Sequence, residues 1–465
     1  MTEPRGISLW FDQLAADPPA AATGHDQLAP RPSLAGDTQG DVVVVGAGLT
    51  GLWTAYYLLE ADPSLDVIVV EQEIAGLGAS GRNDGWCSAL FPTSPEGLAR
   101  QHGRDAALAM RAAMRDTVVE VGGVAAAEEI ECDFAYGGTV TLARTRPHLA
   151  HLSAEAHGSE LWGDEMHLHD AAGVAQHVVA EGAIGGSWTP DCARIQPARL
   201  VRGLAEVVTA RGARLVERTR ALRLSPRAVI TDQGTVRART VVRATEAWTS
   251  QLHGSRRDVV PVYSLMIATE PLSASFWADT GLARGQTFTD GRHLIVYGQR
   301  TSDDRIAFGG RGAPYHWGSE IRPGFDHDTR VTEHLRAARV DLFPGAAGAR
   351  ITHAWGGPLA IPRDWHPSVG YDEDTQMAWA GGYVADGVAA SNLAGRTIAD
   401  LVTGSNSPLV RLPWVGHRSP SWEPEPLRWA GVTAGVRGAA RADLEERLTG
   451  RPSRVARALT PMLGH

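Results

Sequence analysis

Gly46, Gly48 and Gly51 stand in the spacing GxGxxG within "DVVVVGAGLTGLWTAYYLL", between a β-branched run and a stretch of helical periodicity. Such spacing suits the close approach of a pyrophosphate. The first glycine makes the tight turn, the second lets a phosphate reach the backbone, and the third lets the helix pack on its sheet. Glu71 lies twenty residues after Gly51, at the end of a second apolar run, "LDVIVVE". A carboxylate there accepts hydrogen bonds from a ribose, and it suits FAD or NAD better than NADP. A second glycine turn feeding a helix lies near the other end of the chain, in "AGGYVADGVAASNLAGRTIADLV". The N-terminus of a helix carries unsatisfied N–H groups and about half a positive charge, so each turn favours an anion placed against it.

The elements that must hold these turns follow from the same pattern. "VVVV" reads as a buried parallel strand and "GLWTAYYLL" as its helix. From about Pro95 to Ala127 the chain is alanine-rich and helical, followed by strand-like "FAYGGTVTLA" and a further helical stretch to about Ala183. "PARLVRGLAEVVTARGARLVERTRALRL" reads as helix then strand, and "GTVRARTVVRAT" returns to a buried strand. "VVPVYSLMIATEPL" through "HLIVYGQRTSDDRIAFGGRG" alternates apolar and polar residues, as antiparallel strands do. A helix is predicted near Thr329 to Leu342 and another from about Gly387. Residues 1 to about 40 read as an ordered wrap or a loose arm. Nucleotide-type units therefore sit at the start, middle and end of 465 residues, with antiparallel material between them. The expected fold is α/β (α+β): a discontinuous Rossmann-like domain of residues 1–98, 187–258 and 351–465, carrying an inserted antiparallel-sheet substrate domain of residues 99–186 and 259–350.

Composition removes several classes. All 44 lysine-plus-arginine positions are arginine, so neither a pyridoxal Schiff base nor a P-loop, which need a lysine, is available. A net charge of −9 argues against nucleic acid, which is held by a basic face. Cys87, Cys132 and Cys192 are widely spaced, the histidines show no HExxH, and no metal site is expected. No apolar run has the length to cross a bilayer, and "MTEPRGISLW" lacks the regions of a signal peptide, so a cytoplasmic enzyme is expected.

The segment "GLGASGRNDGW", residues 76–86, follows the ribose acid and is rich in glycine and small polar groups. Its backbone N–H groups and Arg82 suit a diphosphate. With this segment the sequence resembles the FAD-dependent oxidoreductases of the D-amino-acid oxidase (DAO) type, a group that includes glycine oxidase, sarcosine oxidase and gamma-glutamylputrescine oxidase. "VVVVGAGLTGLWTAYYL", "GASGRNDGW", "VVRATEAWT", "HAWGGPLAIPRDWHPSVG" and "AGGYVADGVAASNLAGRTIADL" carry the resemblance over nearly the whole chain. "GGRGAPYHWGS" and "LPWVGHRSPSWEPEPLRW" are most similar to a bacterial branch of aminophosphonate oxidoreductases. The resemblance implies non-covalent FAD. Gly46, Gly48, Leu49, Thr50 and Gly51 would meet the pyrophosphate, Glu71 and Gln72 the ribose, and Gly78, Ala79, Ser80, Arg82, Asn83, Gly85 and Trp86 the diphosphate, ribityl chain and ring. Ala221 would contact adenine, Ala244, Thr245 and Trp248 would flank the diphosphate, and Gly382, Gly387 and Val388 would close over the flavin. The closing helix would then stabilise negative charge on the reduced ring.

The implied reaction is oxidation of a small amine, an aminophosphonate or other amino acid among the candidates, by hydride transfer to flavin N5. The resulting imine is hydrolysed to a carbonyl, and O2 or another acceptor takes the electrons. Arg311, Tyr315 and His316 of "GGRGAPYHW" and Trp355 of "HAWGG" are the candidate catalytic residues: Arg311 to hold an acid group, Tyr315 and His316 to bound the amine or move a proton, Trp355 as a wall. Three departures from the family pattern stand out. Asp84 replaces a glycine of the usual GASGRNGG, where aspartate tolerates a left-handed backbone better than most residues and can shift the flavin potential or orient a cationic amine. The lysine that many relatives use to activate O2 is absent, leaving Arg300, Arg305, Arg311 or His316. The arginine that grips a carboxylate in glycine oxidases falls near Leu359, with Arg363 the nearest arginine. A flavin dehydrogenase, an FAD monooxygenase and a non-catalytic nucleotide-binding subunit are the competing classes.

Overall fold

The computed structural model describes residues 2–16 and 27–463. Its first sheet is built on the Thr38–Val45 strand, which pairs in parallel with Val67–Val70 on one side and Thr235–Arg243 on the other. Arg214–Val216 extends the sheet beyond Val67–Val70, and Met377–Gly381 beyond Thr235–Arg243, both in parallel. Val42 and Val44 face one hydrophobic cluster while Val43 and Val45 face another. This is why the run is apolar without alternation: both faces of the strand are covered. The hairpin Ala221–Ser225 and Ala228–Thr231 adds two antiparallel strands at the edge.

The two glycine turns lead into helices Leu49–Ala61 and Gly387–Thr403, which pack against each other on this sheet. At their crossing a Cβ on Gly395 would lie 2.6 Å from Trp53 Cβ and 2.8 Å from Thr54 N, so the absent side chain sets the approach of the two backbones. Asn392 Nδ2 donates to Tyr57 Oη at 2.9 Å across the same interface.

The second sheet has eight strands in the order Ile351–Ile361, Val260–Thr269, Ile306–Gly310, Val296–Arg300, Thr287–Asp290, Thr139–Ala143, Gly185–Thr189, His167–Asp170. One pair, Thr287–Asp290 with Thr139–Ala143, is parallel; the others are antiparallel. The helix Thr329–Leu342, at the expected bounds, covers it through Val331, Leu335 and Leu342. Sheet membership differs from the expected division at two places. Ile351–Ile361, expected to begin a cofactor unit, pairs with Val260–Thr269 over ten register positions, and Gly185–Thr189 spans the boundary expected at 187. Long-range pairing, which local pattern does not carry, decides both.

The alanine-rich helix read as one piece is two, Pro95–His102 and Arg104–Ala127, broken where Gly103 adopts φ 89°. The three cysteines are buried free thiols around a small third sheet, Trp86–Ser88, Cys192–Arg194 and Ala135–Tyr136. Residues 17–26 of the expected arm or wrap lie outside the described residues; before them, Leu9–Ala16 is a helix that buries Trp10 and Phe11. Among the described residues no helix is long and apolar enough to cross a membrane.

Candidate active site

The first glycine turn opens onto a cleft of about 450 Å³ at the carboxyl ends of the parallel strands, where open α/β sheets hold their ligands. Gly46 has φ 105°, and a Cβ there would lie 2.4 Å from Ala244 O, so only glycine lets this turn pass the neighbouring strand. At Gly51 a Cβ would meet Gly46 O at 1.9 Å, which places the third glycine at the helix-to-strand contact. No side chain caps the helix at Gly48. Ser80 Oγ accepts from Leu49 N at 2.8 Å, drawing the segment after the ribose acid over the helix end.

Glu71 sits beneath the turn, accepting from Ala47 N at 2.8 Å and Glu73 N at 3.0 Å. Burial pushes its carboxyl up to about 7 against these donors. The cleft wall also contains Gly48, Gln72, Gly78, Ala79, Arg82, Ala221, Ala244, Thr245 and Trp248, all expected there. A helix end with glycine at its N-cap, glycines at 46 and 48 of the turn and the Glu71 carboxylate beneath it, all at one cleft, match the diphosphate and ribose of a dinucleotide in chemistry and order, so FAD fits these residues. Arg82 is engaged otherwise: its Nη1 donates to Asp326 Oδ2 at 2.6 Å, and both side chains are largely buried.

Beyond Ser80 the chain is stapled to itself and propped from outside. Asn83 Nδ2 donates to Ser80 O and its Oδ1 accepts from Gly85 N, each at 2.8 Å. Trp10 Nε1 donates to Asn83 O at 2.8 Å and Trp355 Nε1 to Arg82 O at 2.9 Å, the two indoles packing edge to face. Trp355 is thus a buried prop for the loop, its one polar atom already committed. The left-handed position of this loop is Gly85, at φ 77°, rather than Asp84, and a Cβ there would also meet Gln299 Nε2 at 2.2 Å and Ile195 O at 2.4 Å. Asp84 Oδ1 accepts from Trp86 N at 3.3 Å, and its carbonyl accepts from Gln299 Nε2 at 2.5 Å. Trp86 Nε1 is buried without an acceptor, next to the Tyr297 ring at 6.1 Å.

The closing turn arrives at the same place. Thr50 Oγ1 and Tyr383 Oη share a hydrogen bond of 3.0 Å, tying the first helix to the segment that leads into the second. Gly382, at φ 77°, donates its N–H to Glu246 Oε2 at 3.3 Å, and burial pushes the Glu246 carboxyl up to about 7. Val384 and Ala385 follow with φ 59° and 101°, strained values for residues with a Cβ. Arg311 Nη2 holds the turn by donating to Val384 O at 3.0 Å. Gly387 begins the helix with no side-chain cap, and Val388 is buried in the core behind it.

The remaining catalytic candidates separate. Tyr315 Oη contacts Ser319 Oγ at 3.1 Å and donates to Glu425 Oε1 at 2.7 Å, inside a satisfied network with the C-terminal segment. His316 stacks on Phe325 with ring centroids 3.3 Å apart, and desolvation lowers its pKa. Arg300 and Arg305 pair with Asp304 and Asp303 in the turn between two strands, and Arg363 pairs with Glu423. Leu359, by contrast, lines a small pocket with Asp84, Tyr297, Ser264 and Ala385. Asp386 and Tyr297 belong to this region and were not singled out from the sequence. Asp386 adjoins Gly387, so its neighbourhood was visible; Tyr297 is one alternating residue of a strand and nothing local marks it.

Comparison with known proteins agrees with this geometry. The profile of the DAO family, FAD dependent oxidoreductase, matches residues 41–401. A protein named Gamma-glutamylputrescine oxidoreductase from Escherichia coli is 28% identical over 390 residues, covering 82% of this chain and 88% of that one. One named Probable oxidoreductase OrdL from Haemophilus influenzae is 27% identical over 380 residues, with 79% and 84% covered. Among solved structures, glycine oxidase from Geobacillus kaustophilus superposes with a TM-score of 0.67 at 21% identity, covering 82% of this chain and 99% of that one. Glycine turn, ribose acid, closing helix and matched profile lead to one assignment: the chain belongs to the DAO family and is an FAD-dependent oxidoreductase.

Proposed function

We propose that the enzyme oxidises the C–N bond of a small amine to an imine that water converts to a carbonyl, and that O2 receives the electrons. The observation that carries this reading is the continuity of the site. The cleft at the Gly46 turn adjoins, across Ala79 and Arg82, a pocket bounded by Asp84, Tyr297 and Leu359, beside the turn tied by Thr50 and Tyr383. Relatives named for gamma-glutamylputrescine and glycine support an amine or amino acid as substrate.

Bound FAD supplies the two-electron acceptor for the hydride that leaves the nitrogen-bearing carbon as the nitrogen lone pair forms the C=N bond. The chain's part is positioning and charge. Gly46, Gly48, Ser80 and the first helix end would hold the diphosphate and Glu71 the ribose, while Trp10 and Trp355 fix the loop after Ser80. The N-terminal N–H groups of the closing helix would favour negative charge developing on the bound cofactor. Addition of water to the imine and loss of ammonia or an amine complete the substrate's change; with O2 as acceptor, H2O2 is the second product.

Mixing the yellow protein with a panel of amines under anaerobic stopped flow tests the reading. Bleaching of the flavin by at least one amine, followed by H2O2 release on admitting air, is expected. No bleaching by any amine, with bleaching by NADH, favours an FAD monooxygenase. Bleaching without H2O2 favours a dehydrogenase with another acceptor, a second reading supported by the absence of lysine and the pairing of Arg300 and Arg305.

A further inference from the structure

The family profile begins at residue 41, yet the cleft at the Gly46 turn takes part of its wall from residues that precede the profile. Thr2 and Ile7 line that cleft together with Gly46, Glu71 and Glu73. Thr2 N donates to Glu73 Oε2 at 3.0 Å, and Glu73 in turn gives its own N–H to Glu71, the ribose acid. Further along, Trp10 Nε1 donates to Asn83 O at 2.8 Å, in the loop that continues the diphosphate segment. Residues 2–10 are thus fastened at both ends to parts of the cofactor site, and Ile7, between the two fastenings, lines the cleft.

The helix Leu9–Ala16 anchors this run. Ser8 Oγ accepts from Phe11 N at 3.3 Å at the helix start, and Asp12 Oδ1 accepts from Gly6 N at 2.6 Å, which ties the run back onto the helix. Leu9, Trp10 and Phe11 are buried in one cluster with Ile74, Leu77 and Met266. The Phe11 ring lies directly over the diphosphate segment: a Cβ on Gly81 would meet Phe11 Cε2 at 2.8 Å, so the glycine there is fitted to the arm. Packing accounts for the helix. It does not account for residues 2–7, none of which is fully buried, and whose far end is held by Glu73, a residue of the cleft wall.

We propose that residues 2–10 belong to the FAD site, as a strap outside the family profile that walls the cleft beside Glu71 and retains the bound cofactor. A cofactor held without a covalent bond leaves at a rate set by the contacts that must break first, and the fastenings at Glu73 and Asn83 are among them. Strap and cofactor stabilise each other reciprocally: FAD binding orders residues 2–10, and loss of the strap weakens FAD by the same factor. The inference concerns cofactor retention alone, so it stands or falls independently of the amine and of the electron acceptor.

The test compares the FAD-loaded wild type with a chain in which Ser8 directly follows the initiating methionine and with Trp10→Phe. The shortened chain loses Thr2 and Ile7 but keeps the Ser8 cap and the buried Leu9, Trp10 and Phe11. Trp10→Phe keeps an aromatic ring and removes the donor to Asn83 O. FAD release is followed as the rise of free-flavin fluorescence after dilution. Hydrogen exchange of the peptide spanning residues 2–12 is measured in the wild type with and without FAD. Release is expected to quicken about tenfold in the shortened chain and about fivefold in Trp10→Phe, the latter being the loss of one hydrogen bond. The melting temperature of the FAD-free shortened chain is expected to match that of the FAD-free wild type, and exchange in residues 2–12 to slow about tenfold when FAD binds. Release at the wild-type rate in both variants overturns the proposal, as does exchange that is the same with and without FAD; residues 2–10 would then serve packing alone. If the shortened chain fails to fold, Trp10→Phe and the wild-type exchange decide the matter.

Discussion

Asp84 turns one substitution in a glycine-rich loop into a titrating group. Burial first, and then repulsion from Asp386, push its carboxyl up to about 7. Because the folded value is raised, the contribution to stability is whole at acid pH, below the ordinary carboxylate range, and is lost as pH rises through 7. Ligand affinity runs the other way, since only the ionised form attracts a cation. In steady-state assays kcat/KM for a cationic amine is expected to climb by about tenfold between pH 6 and 8, in line with one ionisation. In Asp84→Asn that climb should vanish, and the variant's melting temperature should exceed the wild type's by more at pH 8 than at pH 5. A climb that survives the substitution would assign the ionisation to another group. The aspartate itself was legible as a departure from the family pattern; its backbone was not, since the left-handed position belongs to Gly85 and is forced by Gln299 and Ile195, residues distant in sequence.

At the scale of the element, the closing helix provides the sharpest test. A Cβ on Gly387 would meet Tyr383 Cδ2 at 3.4 Å, an ordinary contact, so a larger residue is compatible with the turn. Gly387→Leu is expected to fold with an unchanged melting temperature, yet to lower FAD occupancy or shift the flavin potential down by about 20–40 mV. That shift corresponds to losing roughly 1–2 kcal/mol of dipole stabilisation in a two-electron couple. Spectroelectrochemistry of the variant measures it; an unchanged potential with full occupancy would remove the helix end from the flavin's surroundings. The start of this helix, the span Thr329–Leu342 and the Gly46 turn could be read from periodicity and glycine spacing because each is a local signal. The prop formed by Trp10 and Trp355 could not. Trp355 reads as a wall residue in the sequence and Trp10 as part of an undecided arm, and only tertiary packing reveals that their N–H groups serve two consecutive carbonyls of one loop.

The whole molecule joins two eight-stranded sheets whose strands come from interleaved stretches of chain. Interleaving was legible from the order of nucleotide-type and antiparallel segments, while the sheet to which Ile351–Ile361 belongs was not, because its ten-position register with Val260–Thr269 is non-local. The cleft has walls from both ends of the sequence, and one of its fastenings, between Thr50 and Tyr383, joins residues 333 apart. A chain ending at residue 380 is therefore expected to emerge colourless from gel filtration in excess FAD, with the full-length chain emerging yellow. Retention of flavin by the shortened chain would show that the first glycine turn suffices.

The same fastening has a consequence for biogenesis. A nascent polypeptide makes its nucleotide turn early, but Tyr383, the other half of this fastening, is synthesised 333 residues after Thr50. Loading with flavin is therefore expected to wait for that later stretch, and a chain interrupted before it is expected to stay free of a half-built redox centre.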